Sequence, residues 1–430
     1  MKQMLYSLAL ISSICFLACK KNCESPNPSD FYLPGEWTTQ QSVWLGWSTY
    51  ENKAGFPTQA VHLDIIKNLA PTVNVVIAVQ DSVEKKSVWS QLLAAGISQS
   101  WLQTKIQCQI IPHNDIWWRD MGGIFLKNSA NQSLMVDFNF NGWGYGPYTT
   151  PVGRAGFALD ETVDRQIAAQ LDLPTISSQM ILEGGAIESN GKGTIIVAES
   201  VVFQRNPTMT KSQIETELKR VLKVKKIIWL PRGLGNDVHS VTGSPFLLND
   251  KKVYTPVTTN GHTDEFVRFA DEHTLILAEI PESEATDTIA RYSRKALLEA
   301  ENVLKTATDQ DGQPFKLIRM PDTGTLLEQV AAGDGTFDFL STLSALNLNP
   351  NNPINVVLAS SYLNYMISND IVLVPKYARA DRPANLQLKD AQAVNVLKTA
   401  FPNRKIVQID ATNINVGGGG LHCISQQMPK

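Results

Sequence analysis

Ser189-Asn-Gly-Lys-Gly-Thr-Ile-Ile-Val197 sets a polar turn directly ahead of an apolar, β-branched run. The same order returns at Leu248-Asn-Asp-Lys-Lys-Val-Tyr-Thr255 and Ser368-Asn-Asp-Ile-Val-Leu-Val374. The turn residues tolerate positive φ, and a short apolar segment precedes each turn (Met180–Leu182, Ser244–Leu247, Tyr362–Ile367), so each unit reads as a β-hairpin. Working outward, apolar residues at helical spacing predict helices over Thr58–Ala70, Ser82–Ala95, Glu161–Leu171, Ser212–Leu222, Ala285–Ala307 and Lys389–Ala400. The fourth opens on Thr210-Lys-Ser-Gln213 overlapping Ser212-Gln-Ile-Glu215, both of capping-box form. Strands are expected over Val73–Val79, Lys105–Ile111, Ser133–Phe138, Thr194–Ala198, Lys226–Leu230, Thr274–Glu279, Asn355–Ala359 and Ile371–Pro375. No low-complexity linker divides residues 31–430, so the pattern predicts an α/β fold made by pseudo-symmetric repetition rather than by separate domains.

A formal net charge of -3 and scattered lysines and arginines give no long-range attraction for nucleic acid or an anionic membrane. The one basic block, Lys223–Lys226, stands at the end of an expected helix, where cations suit the dipole. The N-terminus reads as an export signal over residues 1–18, with Met1-Lys-Gln3 ahead of an apolar run from Met4 to Ala18. That run is short for a membrane span. Phe16-Leu-Ala-Cys19 resembles a lipobox with Cys19 as the lipidated residue, and residues 19–30 read as a polar tether. A periplasmic or membrane-anchored bacterial lipoprotein is therefore expected, with plain signal cleavage or an uncleaved anchor as alternatives. Of five cysteines only Cys108 and Cys423 lie in the body, so no disulfide framework is implied. Cys108 sits in the alternating run Ile106–Ile111 and reads as a small buried residue.

Four segments place polar residues where a plain core would not. Asn114-Asp-Ile-Trp-Trp-Arg-Asp-Met-Gly-Gly123 has a pocket-like composition, although an Arg119–Asp120 ion pair with packed tryptophans would also explain it. In Ile181-Leu-Glu-Gly-Gly-Ala-Ile187, Glu183 ends an apolar strand and two glycines permit close approach; a bend with a solvated Glu fits equally. In Asn260-Gly-His-Thr-Asp-Glu-Phe-Val-Arg-Phe269, His262 and Asp264 would share one side of an extended segment. A metal pair is the competing reading, but the chain has six His and no second cluster at ligand spacing, so neither metal nor cofactor is expected. Last, Asn415-Val-Gly-Gly-Gly-Gly-Leu-His-Cys-Ile-Ser-Gln-Gln427 carries four consecutive glycines into His422-Cys423, an arrangement that can expose the sulfur while backbone N–H groups approach it. A phosphate cradle would need a Lys-Ser/Thr after the glycines, and none follows. The residues alone reach a Cys/His hydrolase with an acidic pocket suited to a guanidinium.

These four segments, in this order, resemble the agmatine deiminase and Porphyromonas-type peptidylarginine deiminase family of the guanidine-modifying (pentein) superfamily. The resemblance rests on Trp117-Trp-Arg-Asp120, Glu183-Gly-Gly185, Gly261-His-Thr-Asp264 with Arg268-Phe269, and Gly417–Cys423. Pro34-Gly-Glu-Trp37 and Val43-Trp-Leu-Gly-Trp47 extend it over residues 31–430, the expected catalytic domain. It implies a single-domain, five-bladed α/β propeller with the site at its centre. It further implies Cys423 as nucleophile, His262 as acid and base, Asp120 and Asp264 gripping the guanidinium, and Glu183 orienting His262. Trp117 would lie against the cation, and Asn364, in Ser361-Tyr-Leu-Asn364, would be a further site residue. Asp137-Phe-Asn-Phe-Asn-Gly-Trp-Gly144 and the C-terminal motif resemble agmatine deiminases. The arginine pair that peptidylarginine deiminases of this family place shortly after the Asp120 segment is missing from Tyr145–Pro151, where the next arginine is Arg154. Met121-Gly-Gly123 departs from the family's Gly-Pro, and export suits a protein-modifying enzyme. A small cationic guanidino substrate, agmatine-like, is thus expected, with peptidyl arginine second. A lipoprotein that binds guanidino compounds without turnover is the alternative from another class.

Overall fold

The computed structural model describes residues 30–47 and 56–430. Five of its sheets repeat one ladder, an antiparallel pair followed by a parallel strand. The first blade pairs Ser425–Pro429 with Gln40–Gly46, then Asn74–Val79, and adds Ile106–Ile110. The second runs Ile124–Lys127, Ser133–Asn139, Thr175–Ile181, and the third Glu188–Ser189, Thr194–Ala198, Lys226–Leu230. The fourth runs Val267–Phe269, Thr274–Glu279, Lys316–Pro321, and the fifth Met366–Ile367, Ile371–Lys376, Lys405–Asp410. A parallel neighbour requires a crossover, and each blade supplies a helix: Gln59–Leu69, Val163–Leu171, Lys211–Leu222, Thr288–Thr306 and Asn385–Ala400 in turn. All five stand where hydrophobic spacing predicts helices. The third begins on the expected capping box, Thr210 with Gln213. This is the pentein-type α/β propeller, and the C-terminal strand closes the ring by pairing with the N-terminal one.

Two details differ from the sequence reading. The Leu248–Thr255 unit is a hairpin, with Asn249 and Asp250 at positive φ, but it belongs to a sixth sheet. There Phe246–Leu248 and Lys251–Tyr254 join Ile354–Val357 and Leu327–Val330. The fourth blade's own hairpin turns instead at Ala270–His273, which lacks an Asn-Gly or Asn-Asp signal. The Ser368–Asp370 turn needs no positive φ; Asn369 spends its amide on Gln40 and Thr72, stitching the fifth blade to the first. Cys108 is buried in its strand as expected, and burial pushes its thiol up to about 11. The export segment 1–18, Cys19 and all but the last residue of the tether lie outside the described residues.

Candidate active site

Every site residue expected from sequence lies in the short segment, loop or single helical turn, that leads into the first strand of a blade. Asp120 precedes Ile124, Glu183 precedes Glu188, His262 and Asp264 precede Val267, Asn364 precedes Met366, and Cys423 precedes Ser425. Pseudo-symmetry therefore brings residues hundreds of positions apart to one place. Hydrogen bonds close the circle. The Arg119 N–H donates to the Cys423 carbonyl at 3.0 Å, and the Gly185 N–H to Asp120 Oδ1 at 3.0 Å. His262 Nε2 meets Glu183 Oε2 at 3.3 Å, and the Asn364 amide donates to Asp264 Oδ2 at 3.3 Å and to Cys423 Sγ at 3.1 Å.

Cys423 is buried, 4% exposed, rather than presented to solvent as its glycine run suggests. A side chain at Gly419 would collide with both Trp117 and the sulfur, so the glycine lets the indole lie beside the thiol. Burial, then the charges of Asp264, Glu265 and Asp120, hold the thiol well above its usual range, while a backbone N–H at Gly420 works the other way. A bound cation would reverse that balance.

Burial opposes charge on His262, but Asp120, Glu183 and Asp264 outweigh it and lift the imidazole to about 9. Glu183 is held at about 2: burial works against its charge, and Arg205, 2.7 Å away, and His262 prevail. Burial pushes Asp120 up to about 6, assisted by Asp264 and Glu183 and opposed by His262 and the Trp143 indole N–H. His262 Nδ1, Asp264 Oδ1 and Glu265 Oε2 have no hydrogen-bond partner among the described residues. Gly185 is the residue that keeps this space open; a Cβ there would lie 2.6 Å from His262 Nδ1 and 2.9 Å from Asp120 Oδ1. Unsatisfied carboxyl oxygens around a gap that glycine preserves are what a multiply N–H-donating cation needs, and the His262 Nδ1–H beside them is free to reach a departing nitrogen.

Sequence reasoning placed His262 and Asp264 on an extended segment. His262 caps a single 3-10 turn, Thr263–Glu265, and Asp264 lies within it, yet the two still converge, because Asp237 anchors the Gly261 and His262 N–H groups at 2.7 and 3.0 Å. Arg119 does not pair with Asp120; its partners are Glu36, at 3.0 Å, and Gln427. Glu265, Trp143, Asp237 and Arg205 were missed. Glu265 and Trp143 stand inside segments already singled out; Arg205 and Asp237 carry no local signal.

Asp264, Glu265 and Cys423 each put a ligand atom within 4.8 Å of the others, a grouping that could hold a metal ion. The Asn364 amide argues against a bare cation there. Its Oδ1 accepts the His422 and Cys423 N–H groups, which fixes its orientation, so its NH₂ points at all three ligand atoms. Above the site lies a cavity of about 350 Å³ that shares Trp117 and Gly417 with it. Phe157, Val257, Phe339 and Ile414 give it an apolar wall; Asp115, Asp334 and Asp338 also line it, and neither lysine nor arginine does among the described residues. Arg154 is not among the lining residues; it donates to the Thr149 carbonyl at 2.6 Å.

A thiol, an imidazolium and a ring of carboxylates suit addition to a guanidinium carbon and removal of one nitrogen, and the propeller that gathers them is the pentein fold. The protein is a C–N hydrolase of that class, acting on guanidinium groups through a cysteine nucleophile. Residues 32–243 and 247–429 match the Porphyromonas-type peptidyl-arginine deiminase family, and the chain belongs to it. It is 29% identical to the agmatine deiminase of Medicago truncatula over 421 residues, which cover 94% of this chain and 98% of that protein. Its fold matches the agmatine deiminase of Enterococcus faecalis with a TM-score of 0.72 at 26% identity, covering 94% of this chain and 97% of that one. A Porphyromonas gingivalis protein, provisionally described as an arginine deiminase, matches with a TM-score of 0.69 at 25% identity, covering 93% and 98%.

Proposed function

We propose that the protein hydrolyses agmatine to N-carbamoylputrescine and ammonia. The observation that carries this choice is the outer cavity, where, among the described residues, three aspartates and neither lysine nor arginine line the path to Trp117. An arginine substrate would bring a carboxylate into that field, whereas agmatine brings an ammonium. Asp120 and Asp264 grip the guanidinium nitrogens, and Trp117 covers its face, a cation–π contact of roughly 1–2 kcal/mol when desolvated. The bound cation makes the thiolate favourable, the Cys423 proton leaves to solvent as substrate binds, and the thiolate adds to the central carbon. The His262 imidazolium protonates the departing ammonia, leaving a thiouronium on the sulfur. Neutral His262 then takes a proton from water, the hydroxide adds, and the C–S bond breaks to release the ureido product. Glu183 orients His262 through Nε2, and Asn364 supports the sulfur.

On this mechanism kcat/KM for agmatine is bell-shaped. Asp120 must be ionised, so activity falls as pH drops through about 6; His262 must be protonated, so it falls as pH rises through about 9. Both limbs are macroscopic, because the groups interact. An alkaline limb below pH 7 in a kcat/KM profile would remove His262 from the acid role.

One observation favours a second substrate, arginine carried on a peptide: the cavity is roomy, and Val152 at its rim is 82% exposed. We also propose export through residues 1–18, with Cys19 lipidated and residues 31–430 acting as the catalytic domain. The test is ureido product formed by the purified protein from agmatine, free arginine and a peptide ending in arginine. Turnover of agmatine alone supports the proposal, and turnover of the peptide alone reassigns the substrate.

A further inference from the structure

The mechanism above leaves His422 unused, although it is the residue next to the nucleophile and almost fully buried, 1% exposed. Both its ring nitrogens touch carboxylates: Nδ1 lies 2.7 Å from Asp264 Oδ2 and Nε2 lies 2.7 Å from Glu36 Oε1. Two carboxylate partners at that distance call for a hydrogen on each nitrogen, that is, an imidazolium or one protonated acid. Glu36 is in turn held by Arg119, at 3.0 Å, and by Arg268, whose Nε also meets Glu188 at 2.6 Å. Glu36 comes from the N-terminal segment and is 26% exposed, lining a cavity of about 70 Å³ that shares no residue with the substrate cavity.

The consequence falls on Asp264. Its Oδ2 is engaged by His422 and the Asn364 amide at the edge of the space that Gly185 keeps open, while Oδ1 has no hydrogen-bond partner among the described residues. A carboxylate pinned by one oxygen presents the other at a fixed angle. We propose that His422, held by Glu36, is the positioning residue that aims Asp264 at the substrate and keeps it ionised. It acts through Asp264 and touches no reacting atom. This assignment rests on the guanidinium reading of the site.

Besides His422, the titratable and charged groups facing Asp264 are His262, Arg268, Glu265, Glu188, the Asp120 carboxylate and the Cys423 thiol, and those facing His422 are Glu36, Arg119 and Arg268. Arg268 is committed to Glu36, Glu188 and the Leu363 and Tyr365 carbonyls, so the His422 ring, whose charge burial and the two arginines disfavour, is the N–H donor in direct contact with Asp264. Without it, Asp264 loses that N–H donor and takes up a proton more readily, since burial already disfavours its charge. The test measures binding of agmatine and of methylguanidine to the full-length protein by calorimetry across pH 5–8. Cys423→Ala is the parent, so that no turnover intervenes, and His422→Gln, His422→Asn and Glu36→Gln are added to it.

His422→Gln is expected to weaken both ligands ~10- to 100-fold at pH 7. The acid-side slope of log affinity against pH should steepen from about one proton toward two as Asp264 joins Asp120. His422→Asn retains an N–H near the Nδ1 position and should recover part of the affinity. Glu36→Gln should move in the same direction by ~3- to 10-fold. Unchanged affinity and slope in His422→Gln would overturn the assignment alone, as would equal losses in the Gln and Asn variants. A parent that binds neither ligand would sink the guanidinium reading and this assignment with it.

Discussion

Cys423→Ala is expected to lower ureido product formation by about 10⁴-fold or more, with affinity for the substrate within about threefold of the parent. The asymmetry follows from the site's charges. The resting thiol is neutral, since burial and three carboxylates oppose its ionisation, so its removal leaves the cation's main partners in place. Those partners are Asp120 and Asp264, both anchored by other bonds, Asp120 by Gly185 and Trp143 and Asp264 by His422 and Asn364. The same charges make Cys423 slow toward a neutral alkylating reagent in the free protein, because little thiolate is present and Trp117 lies beside the sulfur. Product assays and calorimetry on one preparation check both halves. Residual turnover within about tenfold of the parent would remove Cys423 from the nucleophile's role.

How far such a site can be read from sequence follows from the propeller. Asp120, Glu183, His262, Asp264 and Cys423 are legible because each stands in its blade's entry segment, within a few residues of glycine, where polar residues break an apolar strand pattern; Asn364 has no glycine near it and is legible only through the family resemblance. The blades themselves are harder to count. Their first strands can be as short as Glu188–Ser189 and Met366–Ile367, too brief to show an alternating pattern. The Leu248 hairpin has a stronger turn signal than the fourth blade's Ala270–His273 turn, so local chemistry pointed to the wrong member of the repeat. What stayed out of reach is the network behind the site. Glu36 reaches His422 across 386 positions and Arg268 across 232, and although Glu36 stands within the Pro34–Trp37 stretch of the resemblance, nothing in that stretch tells which residues it meets. Asp237 is equally silent, since its task is to cap backbone N–H groups that a sequence does not locate.

Arg205 belongs to that hidden layer, and Arg205→Met is the substitution expected to cost most in stability. Arg205 and Glu183 are both fully buried and 2.7 Å apart. Removing the guanidinium leaves a buried carboxylate supported chiefly by His262, a situation that costs about 3–5 kcal/mol. Linkage gives a similar figure. Glu183 is held at about 2 against an ordinary 4.5, and a depressed carboxylate contributes stability above its unfolded pKa that is lost as pH falls through the folded one. The shift corresponds to ~3 kcal/mol at neutral pH, disappearing between about pH 4.5 and 2. Denaturant unfolding of Arg205→Met should therefore show a large loss at pH 7 that narrows toward acid. Adding Glu183→Gln to the same chain should restore much of that loss, since the stranded charge is gone. Activity should stay low, because His262 then lacks the anion that orients it and holds it near 9, and the alkaline limb of any residual activity should move down. A double variant as unstable as Arg205→Met alone would mean that Arg205 matters for its bonds to Thr259 and Gln204, and not for the charge it neutralises.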